Sequence, residues 1–526
     1  MAEAPRPTSK AQGLAPAVEL RGLTKRFQHV VANAGVNLQV KAGTIHGVIG
    51  ENGAGKSTAM KMLYGQYTPD EGEILVDGVV HRWGSPLDAI RAGIGMVHQH
   101  FMLAGPSTVL DNIVLGAEPA QGSLSWLPRA LRPVDRKAAR AQLDRLATQY
   151  GLPVDWDALI EDLPVGIQQR IEILKLLYRN ARILILDEPT AVLTPQEVID
   201  LFANLRKLKA EGKTIIIITH KLKEVMSFTD RVTVFRSGKV TGEVETSQTS
   251  PEQLAQLMVG RQVVLSVEVP PQPPLGQPVM ETRGLNLAKP HAKLQNINLQ
   301  VRAGEVVGIA GVEGNGQSDL LQAILHPSDA HTRDSGQIHI LGQDVSEKST
   351  AAIKALGVGV VPEDRHREGL LLERSLTENF LLGLQRSPRF ESRGFIVESR
   401  LNEAYRRAAE EYDVRPRAPD LEAGRLSGGN QQKLIIAREF EREPKFLIAA
   451  QPTRGVDVGA IEFIHKRILR ARSEGAGVLL VSSELDEILA LSDRILVMFD
   501  GKIAGEFKRG ECTERELGLA MGGGHA

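Results

Sequence analysis

The sequence has one cysteine, almost no net charge and no long apolar run, and each shortage removes a class of protein. A lone Cys512 excludes any intramolecular disulfide and any multi-cysteine zinc site, and points to a reducing cytoplasmic setting. Lysine plus arginine (63) nearly equals aspartate plus glutamate (64), for a formal charge of -1. That balance argues against gripping nucleic acid through a uniform positive field. Apolar runs such as Ile215–Ile218 fall far short of the ~20 residues a membrane span needs. The opening MAEAPRPTSK lacks the apolar core of a signal peptide, so residues 1–17 read as a disordered tail. What is present is a length of 526 residues, 42% of them hydrophobic, and 51 glycines. Length and composition together imply at least two domains, each with its own core.

The chain repeats itself. KAGTIHGVIGENGAGKS (41–57) is echoed by RAGEVVGIAGVEGNGQS (302–318), a displacement of 261 residues from Lys56 to Gln317. DEPTAVLT (187–194) is echoed by AQPTRGVD (450–457), and TDRVTVFRSGKV (229–240) by SDRILVMFDGKI (492–503), both displaced by 263. Three matches at nearly one offset mean two copies of one domain. We place the copies at 18–263 and 279–510, with a C-terminal tail at 511–526. Between the copies lies 264–278, which contains VPPQPPLGQP and reads as a semi-rigid exposed linker. Within each copy, short apolar runs such as Ile45–Ile49 and Ile183–Leu186 alternate with helical patterns, as in a parallel α/β sheet buried on both faces. The stretch 105–180, with long charged helical patterns such as 135–150, reads as an inserted helical subdomain.

The chemistry concentrates in the first copy. Gly50, Glu51, Asn52, Gly53, Ala54, Gly55, Lys56 and Ser57 fit the phosphate-loop pattern between a strand and a helix, with Thr58 next in line. The glycines let backbone N–H groups converge on phosphate, and the helix N-terminus adds partial positive charge. Lys56 is placed to reach the β- and γ-phosphates and Ser57 to hold Mg²⁺. A buried strand ends in Asp187 and Glu188, carboxylates suited to the metal shell and to orienting the attacking water. His220 ends a further strand, within reach of a γ-phosphate. Gln99 follows another apolar run, as a candidate ligand of metal or water.

These residues resemble the nucleotide-binding subunits of ATP-binding-cassette (ABC) transporters, over nearly the whole chain and twice over. LSGGNQQK (426–433) looks like the ABC signature and is far more specific than a phosphate loop. The resemblance implies an α/β fold of tandem P-loop NTPase domains, each with a mainly parallel sheet core, an antiparallel β subdomain and a helical subdomain. It makes Gln99 the Q-loop residue, His220 the switch histidine, Asp457 the D-loop aspartate and Phe27 the aromatic that stacks on adenine. It also implies ATP with Mg²⁺, the metal resting on Ser57, Gln99 and Asp187. Family members bury ATP between two domains packed head to tail, so ATP-dependent pairing within this chain is expected.

On that basis the defects sort themselves. The second copy has Gln317 for lysine, Ala450 and Gln451 for the carboxylates, Glu363 for glutamine and Ser483 for histidine. The signature that faces it, LPVGIQQR (163–170), carries Pro164, Val165 and Ile167 where Ser, Gly and Gln are usual. The other composite site is complete: Lys56, Ser57, Gln99, Asp187, Glu188 and His220, with Ser427, Gly428, Gly429 and Asp457. One hydrolytic and one degenerate site are therefore expected.

Fused halves with a dead second site resemble the ATPase subunits of bacterial importers for simple sugars and nucleosides. VPEDRHREGL (361–370) and QPTRGVDVGAIEFIH (451–465) lean to the nucleoside branch, with a ribose or galactose importer as the alternative. The implied partners are two membrane-spanning permease subunits and, indirectly, an extracytoplasmic substrate-binding lipoprotein, with the chain peripheral on the cytoplasmic face of the membrane. A soluble tandem ATPase acting on ribosomes or DNA is the reading from a different class. It fits poorly with one intact site, a short linker and neutral charge.

Overall fold

The computed structural model describes residues 16–523 apart from 29, 100, 120–133, 191–192, 194, 261–267, 290–291, 313, 330–332 and 457. Most of the expected N-terminal tail, part of the linker, and Thr194 and Asp457 therefore lie outside the described residues. The chain divides into two compact units, Met1–Gln262 and Val263–Ala526.

Each unit has the same plan. In the first, a six-stranded sheet runs in the order Lys239–Glu245, Arg231–Arg236, Ile45–Gly50, Thr214–Thr219, Ile183–Asp187 and Ile94–Val97. All neighbours pair in parallel except the Arg231–Glu245 hairpin. The central strands are buried along their whole length, which is why they read as unbroken apolar runs rather than alternating ones. A four-stranded antiparallel sheet, built on Val18–Phe27 and Val30–Val40, packs over the helix Lys56–Leu63 through Leu20, Val36, Met60 and Leu63. The second unit repeats both sheets, its six strands running from Val358–Val361 to Lys502–Lys508.

The helical subdomain forms where its charge pattern predicts. Arg136–Tyr150 starts at Asp135, whose side chain accepts from the Ala138 N–H, and stops at Gly151 in the left-handed conformation. Its apolar stripe, Ala139, Leu143, Ala147 and Tyr150, packs against the longer-buried helix Val165–Tyr178.

The structure adds packing that the sequence does not show at two places. The described linker residues are extended and mostly exposed, but they are moored to the second unit. The buried Arg472 pairs with Asp493 at 2.8 Å and donates to the carbonyls of Pro270 and Pro271, while Val269 packs on the core. Proline cannot join a sheet interior, yet its carbonyl still accepts, and an arginine supplies the donor. The C-terminal stretch also packs against the second unit. A capping box at Thr513 and Glu516 opens the helix Glu514–Met521, which buries Leu517, Ala520 and Met521.

Candidate nucleotide site

The catalytic candidates of the first unit all arise at the carboxyl edge of its parallel sheet. Register places Ile49 beside Thr219, Ile218 beside Asp187, and Leu186 beside Val97. Gly50, His220, Asp187, Glu188 and Gln99 therefore leave neighbouring strand ends side by side, where open α/β sheets bind their ligands.

The phosphate loop is held from three directions. Gly55 caps the helix Lys56–Leu63 at φ 97°, a left-handed conformation in which a Cβ would lie 2.5 Å from the Ala32 carbonyl and 2.6 Å from Asn33 Nδ2. Asn33, fully buried, donates to the Gly55 carbonyl at 3.1 Å. The Ser237–Gly238 turn supplies the third support, Gly238 N donating to the Ala54 carbonyl at 3.0 Å. The sequence reading passed over Asn33, although a polar residue on the inward face of an apolar strand is itself a signal.

Inside the loop, Lys56 is 6% exposed and its Nζ donates to the carbonyls of Gly50 (2.7 Å) and Glu51 (2.9 Å). Burial lowers its pKa, against the attraction of Glu188, Asp187 and Glu51. Ser57 Oγ donates to Asp187 Oδ1 at 3.3 Å, and burial raises the pKa of that carboxyl. Such an all-oxygen hydroxyl–carboxylate pair fits a hard divalent cation. Glu188 sits at φ 48°, its N–H donating to the Ile218 carbonyl, and Oε1 lies 2.9 Å from His220 Nδ1. Burial would raise the pKa of Glu188, but the His220 hydrogen bond and the charges of His220, Lys56 and Lys221 outweigh it and hold the group below the ordinary glutamate value. The carboxylate is thus ionised and oriented by a partner, the state a water-polarising base needs.

Two further candidates are exposed. Gln99 is exposed in the turn after Ile94–Val97. Phe27 is 40% exposed at the end of its strand, with the Tyr67 ring edge-on at 5.3 Å and Lys25 Nζ 5.6 Å from its centroid. It is therefore no core aromatic, and Tyr67 beside it was missing from the sequence reading. Farther along, a cleft of about 270 Å³ opens between the sheet edge and the helical subdomain, lined by Tyr64, His98, Met102, Leu115, Glu172 and Lys175.

The second unit keeps the shape and lacks the chemistry. Gly316 caps its helix at φ 103°, and Gln451 sits at φ 45° with its N–H on the Val481 carbonyl. Gln317, in the lysine position, donates to the Val312 carbonyl at 3.2 Å. Gln451 Oε1 accepts from the backbone and hydroxyl of Ser483, both at 3.1 Å, where the first unit has its carboxylate–imidazole pair. Ser318 Oγ donates to Glu363 at 2.8 Å. Its signature segment is well formed: Ser427 caps the helix Gly428–Phe440, and its hydroxyl accepts from Asn430 Nδ2 at 2.9 Å. The matching helix of the first unit begins at Pro164 with no side-chain cap.

A family model for ABC transporters matches residues 34–191 and again 294–454. A nucleoside import ATP-binding protein of Lactococcus lactis is 47% identical over 510 residues, covering 97% of this chain and 98% of its own. A guanosine import ATP-binding protein of Bacillus subtilis is 46% identical, covering 96% and 97%. A glucose import ATP-binding protein of Haloferax volcanii, also 46% identical, covers 97% and 96%. Among solved structures, an archaeal ribosome recycling factor in complex with a ribosomal stalk protein covers 95% of this chain and 92% of its own at TM-score 0.61. At 19% identity, that likeness speaks to the fold alone.

Proposed function

The chain belongs to the ABC transporter family, and we propose that it powers the import of nucleosides with one hydrolytic site and one inert one. It is an ATP-binding, ATP-hydrolysing subunit of an importer. The observation that carries the hydrolytic reading is the Glu188–His220 pair, 2.9 Å apart beside the buried Lys56. In that reading Lys56 exchanges its loop carbonyls for phosphate oxygens, Glu188 orients the attacking water, and His220 fixes Glu188 and reads the γ-phosphate. Ser57 and Asp187, joined by Gln99, would hold Mg²⁺, which supplies charge neutralisation on the phosphates. Ser427, Gly428, Gly429 and Asp457 complete the site from the other half of the chain. Nucleotide then favours the paired state and hydrolysis releases it, which makes the chain a two-state clamp.

A clamp does work only on something attached to it, and among the described residues no helix is long and apolar enough to cross a membrane. We assign the membrane passage to two separate permease subunits and the peripheral, cytoplasmic-face position to this chain. The cleft near Met102 and Leu115, both more than 60% exposed, supports docking of a short permease helix. The nucleoside assignment draws on the two nucleoside-import relatives. The glucose-import relative keeps a sugar as the second reading.

The test is to solubilise native membranes in mild detergent, recover this chain and identify its stoichiometric companions. Two polytopic proteins are expected, with ATPase activity stimulated by a nucleoside-loaded binding protein. Stimulation by ribose, galactose or glucose instead would move the substrate to the sugar class. Recovery with ribosomes would overturn the importer reading altogether.

A further inference from the structure

We propose that Arg365 is the positioning residue that fixes the signature segment of the second unit. The proposal rests on the reading in which Ser427 and its neighbours complete the hydrolytic site.

Arg365 lies in the segment that follows the strand Val358–Val361, where the first unit has its glutamine loop. Its one guanidinium reaches two other segments. Nε donates to Gln431 Oε1 of the signature helix at 3.2 Å. Nη1 donates to the Arg454 carbonyl at 2.6 Å and Nη2 to the Gly455 carbonyl at 3.3 Å, in the turn that leads to Asp457. His366 Nε2 stands 2.9 Å from the same Gln431 oxygen. Gln431 is itself buried and donates to the Ala423 carbonyl, so the grip is passed to the body of the helical subdomain.

Space at the signature is set by the same guanidinium. A Cβ on Gly428 would lie 2.6 Å from the Gly455 carbonyl and 2.7 Å from Arg365 Nη2. The residue after Ser427 is therefore packed directly against the arginine, at the start of the helix that Ser427 caps. A planar fork with five donors satisfies two carbonyls and an amide oxygen at once, which a lysine ammonium on a flexible stem cannot do.

The first unit supplies the internal control. Its matching residue is Phe101, packed into an apolar cluster. There the loop is tied to the helix differently, by Met102 N to Glu172 at 2.9 Å and Lys175 Nζ to the Met102 carbonyl at 2.9 Å. That helix begins at Pro164 and has no serine to aim. The arginine occurs in the unit that keeps its signature, and phenylalanine occurs where the signature is lost.

The experiment is a mutant cycle on the full-length chain, measuring ATPase kcat and the KM for ATP. Ser427→Ala is expected to lower kcat by ~10-fold or more. Arg365→Ala should lower kcat by a similar factor while KM stays within ~2-fold, because the phosphate loop is untouched. Arg365→Lys should recover only part of the loss. The double variant should be no worse than Ser427→Ala alone, since both act through one group. Wild-type turnover in Ser427→Ala would overturn the signature reading and Arg365's role with it. If Ser427→Ala is impaired, wild-type turnover in Arg365→Ala, or losses that multiply in the double variant, would sink the Arg365 proposal alone. Should Arg365→Ala not fold, the same cycle run with Arg365→Lys decides, with multiplying losses again counting against it.

Discussion

The two phosphate loops differ far less in backbone than in side chains. Gly55 and Gly316 cap their helices at φ 97° and 103°, and Glu188 and Gln451 hold left-handed φ values of 48° and 45°. Each hangs its N–H on the strand next door, at the Ile218 and Val481 carbonyls. Backbone shape is enforced by sheet register and core packing, which both units need in order to fold. The charged side chains answer only to chemistry. Their loss is also correlated for a physical reason. In the first unit a buried lysine is offset by Asp187 and Glu188, whereas removing one member of such a set strands an uncompensated charge. Gln317, Ala450 and Gln451 are neutral together, so the second unit has no such charge to strand.

The sharpest way to break this comparison is Glu188→Gln, which gives the first unit the residue of the second. Turnover should fall ~10³-fold or more, on the scale of losing a principal catalytic group, while ATP binding survives. Single-turnover phosphate release and equilibrium binding of a fluorescent ATP analogue separate the two. Retained wild-type turnover would remove Glu188 from the role of base.

Next in size is His220→Ala, which takes away the partner that Ser483 only imitates. A ~10²-fold loss of kcat is expected, at the lower end of what acid–base groups contribute. The pH profile carries the sharper information. Glu188 is depressed below the ordinary glutamate value in the folded protein, so its ionised form is lost only as pH falls through the depressed value. Without His220 its burial is less opposed, the pKa rises, and the acid limb of the remaining activity should move to higher pH. An unmoved limb would mean that His220 does not hold Glu188.

Much of this was legible in the sequence, and the gaps have a common cause. Buried parallel strands must be apolar throughout, and phosphate loops need glycine at fixed places, so repeats, strand ends and the candidate cluster could all be read directly. Tyr67 and Arg365 could not, and Asn33 signals its burial but not its partner. Each acts across a contact that pairs distant segments: Asn33 with Gly55, Tyr67 with Phe27, Arg365 with Gly455. Periodicity carries no information about such partners. The packing of the linker and of the C-terminal helix was hidden for a related reason. Leu517 and Pro270 look unremarkable until a core and a buried arginine are placed against them.

The smallest expected effects come from reversing the comparison. Gln451→Glu alone should leave turnover within ~2-fold of wild type, since one carboxylate supplies neither the lysine nor the metal ligand that phosphoryl transfer requires. Geometry does not forbid the change, because Ser483 already donates twice to that side chain. Gln317→Lys is different, because its position is only 8% exposed and Ala450 and Gln451 offer no charge in return. An ammonium there should destabilise the second unit by ~1–3 kcal/mol, the range for a buried donor left poorly paired. Adding Gln451→Glu should recover part of that stability without adding activity, which thermal melts and turnover on the same samples would resolve. If Gln317→Lys proved neutral in the melt, Glu363, already bonded to Ser318, would be the carboxylate compensating it, and the correlated loss of charge would need another explanation.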